Sequence, residues 1–448
     1  MTSVAPHTVP GPREWPVVGN PQAFSGLIPF MERQRKAHGD VFRMRILSFR
    51  SVAFSHPDQM QHVLVTARDK YVKGNSYDPT RRVFGDSLLT LDGSPWKKRR
   101  TLAQPAFHRK ALEKLAEIMA ARGDRYFDEL SLRVGKGGAT LDAHREMVKL
   151  TLDVVVAALF GESTLAAGHI SYEALNDALQ VLSAGFNGFK FPDWMPTPQN
   201  LKLKRTMRAL DAYVYQIIDA GRRVPSDGSL LSMLLEARDE HGAPLTDEEI
   251  RDEVITLFIA GHETSALTLT WLLTFLDRRP DTLSQLCEEV ERVLGGRSPT
   301  FDDVPKLTFV RQVIDETLRL RPAAPMIVRN LNADDTLAGY PLCAGDIVIP
   351  YFWGLHRHAD YWPDPERFDP GRFSAGLAKS RHPWSYLPFS GGPRVCIGNM
   401  FALTELVMLL SQLLTRFYVE VQPCDDVAPL AMATTRPSRP VWVKFKPR

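Results

Sequence analysis

Residues 389–398, Phe-Ser-Gly-Gly-Pro-Arg-Val-Cys-Ile-Gly, constrain this chain more than any other stretch. Glycines, a proline and an arginine surround one cysteine. An apolar pattern at helical spacing follows at once, through Phe401, Leu403, Leu406, Val407 and Leu410. The stretch therefore reads as a loop that presents a sulfur at the start of a helix. Free N–H groups at a helix start favour negative charge, and so favour a thiolate over a thiol. Gly392 and Gly398 carry no side chain to hold a flat ligand away from the backbone. Arg394 is a planar cation able to hold a carboxylate through two hydrogen bonds, and Phe389 can shield the sulfur from water. A lone cysteine is ordinarily a small buried hydrophobe. Among the four cysteines, only Cys396 lies in a glycine- and arginine-rich loop of this kind.

The other three, Cys287, Cys343 and Cys424, are dispersed, with neither CxxC nor zinc-finger spacing. That excludes a disulfide framework and fits a reducing, cytoplasmic setting. The 448 residues are 44% apolar and 24% charged, which suits a globular enzyme with a large core. A net charge of +3 gives no bulk attraction to nucleic acid. No apolar run approaches the ~20 residues that span a bilayer, and residues 1–9 lack the apolar core of a signal peptide. No membrane anchor is therefore expected.

Along the chain, the proline-rich residues 9–20 read as extended surface segment. A helix is expected over 29–38, then strands over Val41–Ile46 and 51–55 forming a hairpin. Residues 71–94, rich in Gly, Asp, Asn and Pro, promise little regular structure. In Trp96-Lys97-Lys98-Arg99-Arg100, a basic helix start, the i, i+4 spacing puts Trp96 and Arg100 on one face. Residues 111–276 are mostly helical in pattern, broken by a proline-rich loop at 191–198. Thr246 and Glu249 form a capping box, opening a helix that runs to about Asp277. Its middle, Ala260-Gly261-His262-Glu263-Thr264-Ser265, contains two features that weaken a helix. Gly261 costs about 1 kcal/mol relative to alanine, and Thr264 can bond a carbonyl one turn back. The glycine alone fits close helix packing as well as a functional notch. Further on, Glu316 and Arg319 sit at i, i+3 on a partly buried face, and residues 336–342 and 346–350 read as strand, turn, strand. The fold class is mainly α with small β-sheets. One domain over 1–448 is expected, a helix-rich majority with a minor β-rich part drawn from both ends.

The spacing Phe-x-x-Gly-x-Arg-x-Cys-x-Gly resembles the haem-binding loop of the cytochrome P450 family. Three further motifs follow the family's order. Trp96 and Arg100 match its Trp-x-x-x-Arg, Ala260 to Thr264 match its Ala/Gly-Gly-x-Asp/Glu-Thr, and Glu316 and Arg319 match its Glu-x-x-Arg. The resemblance implies haem b with Cys396 as the axial thiolate and metal ligand. It implies propionate contacts from Trp96, Arg100, Arg329 and Arg394, with His356 as a further contact. It puts Ala260 and Gly261 over the haem, makes Thr264 the residue that governs oxygen activation, and makes Glu263 the acid that brings protons from solvent. His262 is expected to be a helix-surface or core residue. Glu316, Arg319 and Arg367 are implied to close a buried charge network that holds the cysteine loop.

The implied activity is a haem-thiolate monooxygenation with O2 as co-substrate, in which one oxygen atom enters a C–H or C=C bond of a hydrophobic small molecule. Fatty acid, terpenoid, steroid and polyketide scaffolds remain open. By resemblance the pocket takes Leu88, Leu89, Phe258, Ala260, Pro325, Met326, Ile327, Met432 and Ala433. The chain stops soon after Cys396, so no fused reductase is expected. Electrons would come from a ferredoxin or flavodoxin with its reductase; Lys97, Lys98 and Arg99 read equally as a basic patch that meets it and as a solvated helix face. A monomer is expected. Two alternatives stand beside this reading: a peroxide-driven oxidase and a non-catalytic haem-binding sensor or carrier. The Glu263–Thr264 pair speaks against both.

Overall fold

The first two strands show how sequence pattern becomes frame. β1 (Val41–Ile46) and β2 (Phe49–Phe54) pair antiparallel, with Val41 opposite Phe54 and Ile46 opposite Phe49. Side chains alternate between faces of a strand, and here both faces are covered. Val41, Val52 and Phe54 enter one apolar cluster, while Phe42, Met44 and Ala53 enter another. Helix Leu27–His38 covers the second face with Ile28, Phe30 and Met31.

The computed structural model describes residues 9–162, 195–238 and 242–448. They divide into two compact units. The first comprises Met1–Asp78, Asp315–Cys396 and Pro429–Ser438; the second comprises Pro79–Ile314, Ile397–Ala428 and Arg439–Arg448.

The first unit is built on a five-stranded sheet that begins with β1 and β2. β8 (Ile347–Pro350) runs parallel to β2, β5 (Arg329–Leu331) runs antiparallel to β8, and β3 (Tyr71–Val72) forms the edge. Residues 336–342 and 346–350, read as strand, turn, strand, do not pair with each other: β6 (Asp335–Leu337) and β7 (Tyr340–Leu342) form a hairpin within the first stretch, and the second stretch is β8. The turn of this hairpin holds Ala338 and Gly339 at φ +53 and +83, the left-handed pair that a tight hairpin requires. A last hairpin joins β10 (Pro429–Ala431) to β11 (Thr435–Pro437). Thr435 fastens it to the segment after the Glu-Arg helix, its amide donating to the Ala323 carbonyl (2.9 Å) and its hydroxyl to that of Pro322 (2.7 Å).

The second unit is mainly helical. Helices Arg109–Val134, Ala143–Phe160, Pro198–Arg222, Asp247–Leu276 and Asn399–Arg416 carry most of its core. A small antiparallel sheet accompanies them, in which β12 (Trp442–Pro447) lies between β4 (Ala139–Asp142) and β9 (Phe417–Val421). The 30-residue helix Asp247–Leu276 starts at the predicted capping box, with Thr246 and Glu249 reciprocally bonded. After its charged first two turns, from Val254 on, it is buried on nearly every side, as a helix apolar over most of its surface must be. Helix Ala143–Phe160 lies close along it. A methyl group at Gly261 would meet Val155 Cγ2 at 3.1 Å, and the Thr151 hydroxyl donates to the His262 carbonyl (2.9 Å). The glycine is thus explained by close helix packing.

Residues 71–94 are more regular than their composition suggests. They hold β3 and a helix over Asp78–Phe84, which starts with Asp-Pro and buries Thr80, Val83 and Phe84. The expected loop at 191–198 lies outside the described residues as far as 194.

Candidate haem site

In the first unit, the cysteine loop is held in an unusual backbone path. Ser390 and Gly392 have φ of +62 and +67. A Cβ on Gly392 would lie 2.4 Å from the Leu64 carbonyl oxygen. Turn and packing by themselves therefore require a glycine at 392. Gly398 differs: a Cβ there would meet only Phe107, at an ordinary 3.8 Å. No neighbouring protein group requires that glycine, so room for a flat ligand still accounts for it. The Cys396 amide donates to the Phe389 carbonyl (3.0 Å) and closes the loop. Cys396 itself is exposed, whereas Cys424 is buried and Cys287 half-buried; the exposed Cys343 lies in the turn between β7 and β8.

The same unit contains the buried charge network. Glu316 and Arg319 are both 0% exposed. Arg319 Nε and Nη2 donate to the two Glu316 oxygens at 2.6 and 2.8 Å. Its remaining donors go to the carbonyls of His356 (2.9 Å), Pro365 (2.7 Å) and Arg367 (3.1 Å). All five guanidinium N–H groups are thus used, and the Trp362 ring lies 5.0 Å from the guanidinium carbon. The Asp369 amide adds a bond to Glu316 (2.8 Å). The network was expected to close through the Arg367 side chain. It closes through the Arg367 carbonyl instead, and that side chain is exposed; Arg372 is the second guanidinium near Glu316, at 3.6 Å.

His356 lies close behind the cysteine loop. It is fully buried, and its Nε2 accepts the Leu387 amide at 2.9 Å. Burial, with Arg319 and Arg357 nearby, pushes its pKa well below the usual range, so the ring is neutral. It braces the approach to the cysteine loop, and its Nδ1 has no hydrogen-bond partner among the described residues. Of the expected propionate ligands in this unit, Arg329 is buried with Nη1 3.3 Å from the Tyr77 hydroxyl, and Arg394 is half-buried. Pro325, Met326 and Ile327 lie beside the β10–β11 hairpin that carries Met432 and Ala433. Met326 packs into the core cluster under helix Leu27–His38, and Ile327 into the other.

In the second unit, Trp96 and Arg100 are half-buried on helix Gly93–Ala103. Arg99 is not part of a surface patch. It is 8% exposed and paired with Glu249 (2.6 Å) and Glu253 (3.6 Å); Lys97 and Lys98 remain exposed. On the long helix, Ala260 is exposed and Gly261 and Thr264 half-buried, although almost every neighbour is sealed. Ala260 and Thr264 stand one turn apart on this open face, and the Thr264 hydroxyl donates to the Ala260 carbonyl (2.8 Å). Glu263 and His262 are buried, at 2% and 0%, which bears out a core role for His262. Phe258 is fully buried, its ring against Tyr213 and His262. It fills the core between helices and does not line a pocket. Leu88 is buried and Leu89 half-buried, in the loop before Trp96.

One site residue went unnoticed in the sequence. Glu405, on helix Asn399–Arg416, is fully buried and accepts the Ser265 hydroxyl at 2.5 Å, while its other oxygen has no hydrogen-bond partner among the described residues. Burial pushes its carboxyl up to about 8. The signal was present: an acid in an otherwise apolar helical run, next to the threonine motif only in space.

These parts suit a haem. Among the described residues, no three of His, Cys, Asp and Glu cluster as a metal site. A metal at the exposed Cys396 thus needs a cofactor for its other ligands, and arginines suited to carboxylates are present in both units.

Comparison with known proteins agrees. The cytochrome P450 family model matches residues 9–445. Pentalenene oxygenase of Streptomyces avermitilis is 33% identical over 442 residues, covering 97% of this chain and 96% of the relative. Cyclooctat-9-en-7-ol 5-monooxygenase of Streptomyces melanosporofaciens is 33% identical, covering 86% and 84%. The solved structure of the cytochrome P450DA heme domain superposes with a TM-score of 0.87 at 26% identity, covering 98% of both chains. Fold and site together define a haem-thiolate monooxygenase, an oxidoreductase. The chain belongs to the cytochrome P450 family. As a member it requires a redox partner and a hydrophobic substrate. No helix among the described residues is long and apolar enough to cross a membrane.

Proposed function

We propose that the protein is a haem b monooxygenase that inserts one atom of O2 into a C–H or C=C bond of a terpenoid hydrocarbon or simple terpenoid alcohol. The observation that carries this is the open Ala260–Thr264 face on a helix otherwise sealed. An accessible hydroxyl on this face suits the family's oxygen chemistry. The names of the two Streptomyces relatives, an oxygenase of pentalenene and a monooxygenase of cyclooctat-9-en-7-ol, support an alkene or alkenol substrate. Fatty acids, steroids and polyketides are set aside on that ground.

When bound, the haem supplies O2 binding and the oxidising chemistry, with the thiolate donating electron density. Cys396 would ligate its iron, and Trp96, Arg100, Arg329 and Arg394 would hold its propionates. Thr264 holds a proton at Oγ1 on the open face, and Glu263 passes protons toward it from within the helix packing. Leu88, Leu89, Pro325, Ile327, Met432 and Ala433 exclude water from the substrate. Lys97 and Lys98 meet the acidic face of a ferredoxin or flavodoxin, which with its reductase supplies electrons. The protein works in the cytoplasm as a monomer, its two compact units acting as one catalytic domain.

The test is turnover of pentalenene by the purified haem protein with a surrogate ferredoxin, its reductase, NAD(P)H and isotopically labelled O2. A product gaining one labelled oxygen atom is the expected result. Turnover that needs added peroxide, or product without label, contradicts the proposal.

A further inference from the structure

The long helix carries two neighbouring carboxylates that the chemistry above does not use. Asp252 and Glu253 are 5% and 2% exposed. Burying a carboxylate is costly unless it is hydrogen-bonded and paired. Both receive backbone amides from residues 85–90, the loop between helices Asp78–Phe84 and Gly93–Ala103. The Asp86 amide donates to Asp252 Oδ2 at 2.7 Å. The Leu88 amide donates to both Glu253 oxygens, at 3.0 and 3.2 Å. Each acid also has its own arginine. Arg251 Nη1 reaches Asp252 Oδ1 (2.7 Å) and the Val83 carbonyl at the loop's start (3.2 Å), while Arg99 Nε lies 3.6 Å from Glu253.

The loop is shaped to receive these contacts. Gly85 has φ +54, and a Cβ there would overlap Asp252 Oδ2 at 2.0 Å. Only a bare residue lets the chain come this close to the acid. Thr90 is 0% exposed and ties the loop back on itself, donating to the Gly85 carbonyl (2.6 Å) and accepting the Ser87 amide (2.9 Å). The loop is thus a compact turn in which Arg81 also reaches the Thr90 carbonyl (3.1 Å), and the long helix fastens it through two acids.

We propose that Asp252 and Glu253 form a clasp that fixes the loop bearing Leu88 and Leu89, and that these two acids are positioning residues for the apolar substrate. The second half of this statement rests on the pocket reading given above. Twelve residues of helix separate Asp252 from Thr264, about 18 Å of axial rise. The clasp therefore acts on how tightly an apolar ligand is held, through the loop, and touches neither the iron ligand nor the proton path. Arg99, which sequence alone suggested for a partner surface, becomes the counter-ion of the clasp.

The test uses the haem-loaded protein and two readouts. Hydrogen exchange at the Asp86 and Leu88 amides reports the clasp without any ligand. The dissociation constant of phenylimidazole, which ligates haem iron and fills the adjoining pocket with its ring, reports the wall; unsubstituted imidazole is the control. In Asp252→Ala/Glu253→Ala, both amides should exchange at least about tenfold faster, the loss of charge-assisted bonds. Phenylimidazole should bind about tenfold more weakly, with imidazole changed little. Asp252→Asn/Glu253→Gln keeps acceptor oxygens at both places and should restore most of the protection. Where the double alanine variant fails to load haem, Gly85→Ala forces the loop off Asp252 from the other side and should give the same two changes. Unchanged amide exchange overturns the clasp, whatever the pocket proves to be. Faster exchange with unchanged phenylimidazole affinity overturns the positioning role. Failure of pentalenene turnover with both changes present faults the substrate reading alone.

Discussion

Two buried carboxylates, one in each unit, are treated in opposite ways. Glu316 has both oxygens hydrogen-bonded, by two guanidinium bonds and an amide, and its partner Arg319 has no donor left over. Glu405 has one serine hydroxyl and an oxygen with no partner among the described residues. A fully satisfied network fixes geometry, and a half-satisfied acid in a dry setting holds its proton instead. The first arrangement suits a scaffold behind the cysteine loop. The second leaves a titratable group beside the one helix whose open face carries Thr264.

The largest effect should come from breaking the satisfied network. Glu316→Ala leaves the Arg319 charge buried without its counter-ion, and should cost about 3 to 5 kcal/mol. Urea unfolding followed by tryptophan fluorescence measures it, and a loss below about 1 kcal/mol would show the pair to be dispensable. Next in size is the half-satisfied acid. Native Glu405 binds a proton up to about pH 8, whereas in the unfolded chain it releases that proton above about 4.5. Unfolding then releases a proton anywhere between these values, so stability falls as pH rises through the window and is level on either side. At neutral pH this amounts to about 3 kcal/mol. Glu405→Gln should remove that slope, so the gap in urea midpoint between variant and parent widens from pH 4.5 to pH 8. A constant gap means that Glu405 is ionised in the folded protein.

The smallest of the three lies at the open face. Thr264→Ala should still bind substrate and consume NAD(P)H, but product per NAD(P)H should drop by about tenfold, with the missing electrons appearing as hydrogen peroxide. Wild-type coupling in this variant would make the face structural only.

What could be read from the sequence was local. The capping box at Thr246 and Glu249 and strand β1 depend on neighbours a few residues away, and they stand as read. The errors share a cause. Arg99 looked like a surface cation because its partners, Glu249 and Glu253, lie 150 or more residues along the chain. Arg367 was assigned through its side chain although its carbonyl does the work, and a carbonyl is invisible to residue type. Phe258 was placed in the pocket by resemblance, yet its ring packs in the core against Tyr213 and His262. Gly261 was left open between packing and chemistry, and Val155 at 3.1 Å favours packing.

The central claim is that Cys396 provides the thiolate that defines the activity. It is tested most directly by the absorbance of the ferrous–CO complex in four single variants, Cys396→Ala, Cys287→Ala, Cys343→Ala and Cys424→Ala. The long-wavelength thiolate Soret band should vanish in Cys396→Ala and persist in the other three. An intact thiolate band in Cys396→Ala protein would contradict the account at its base.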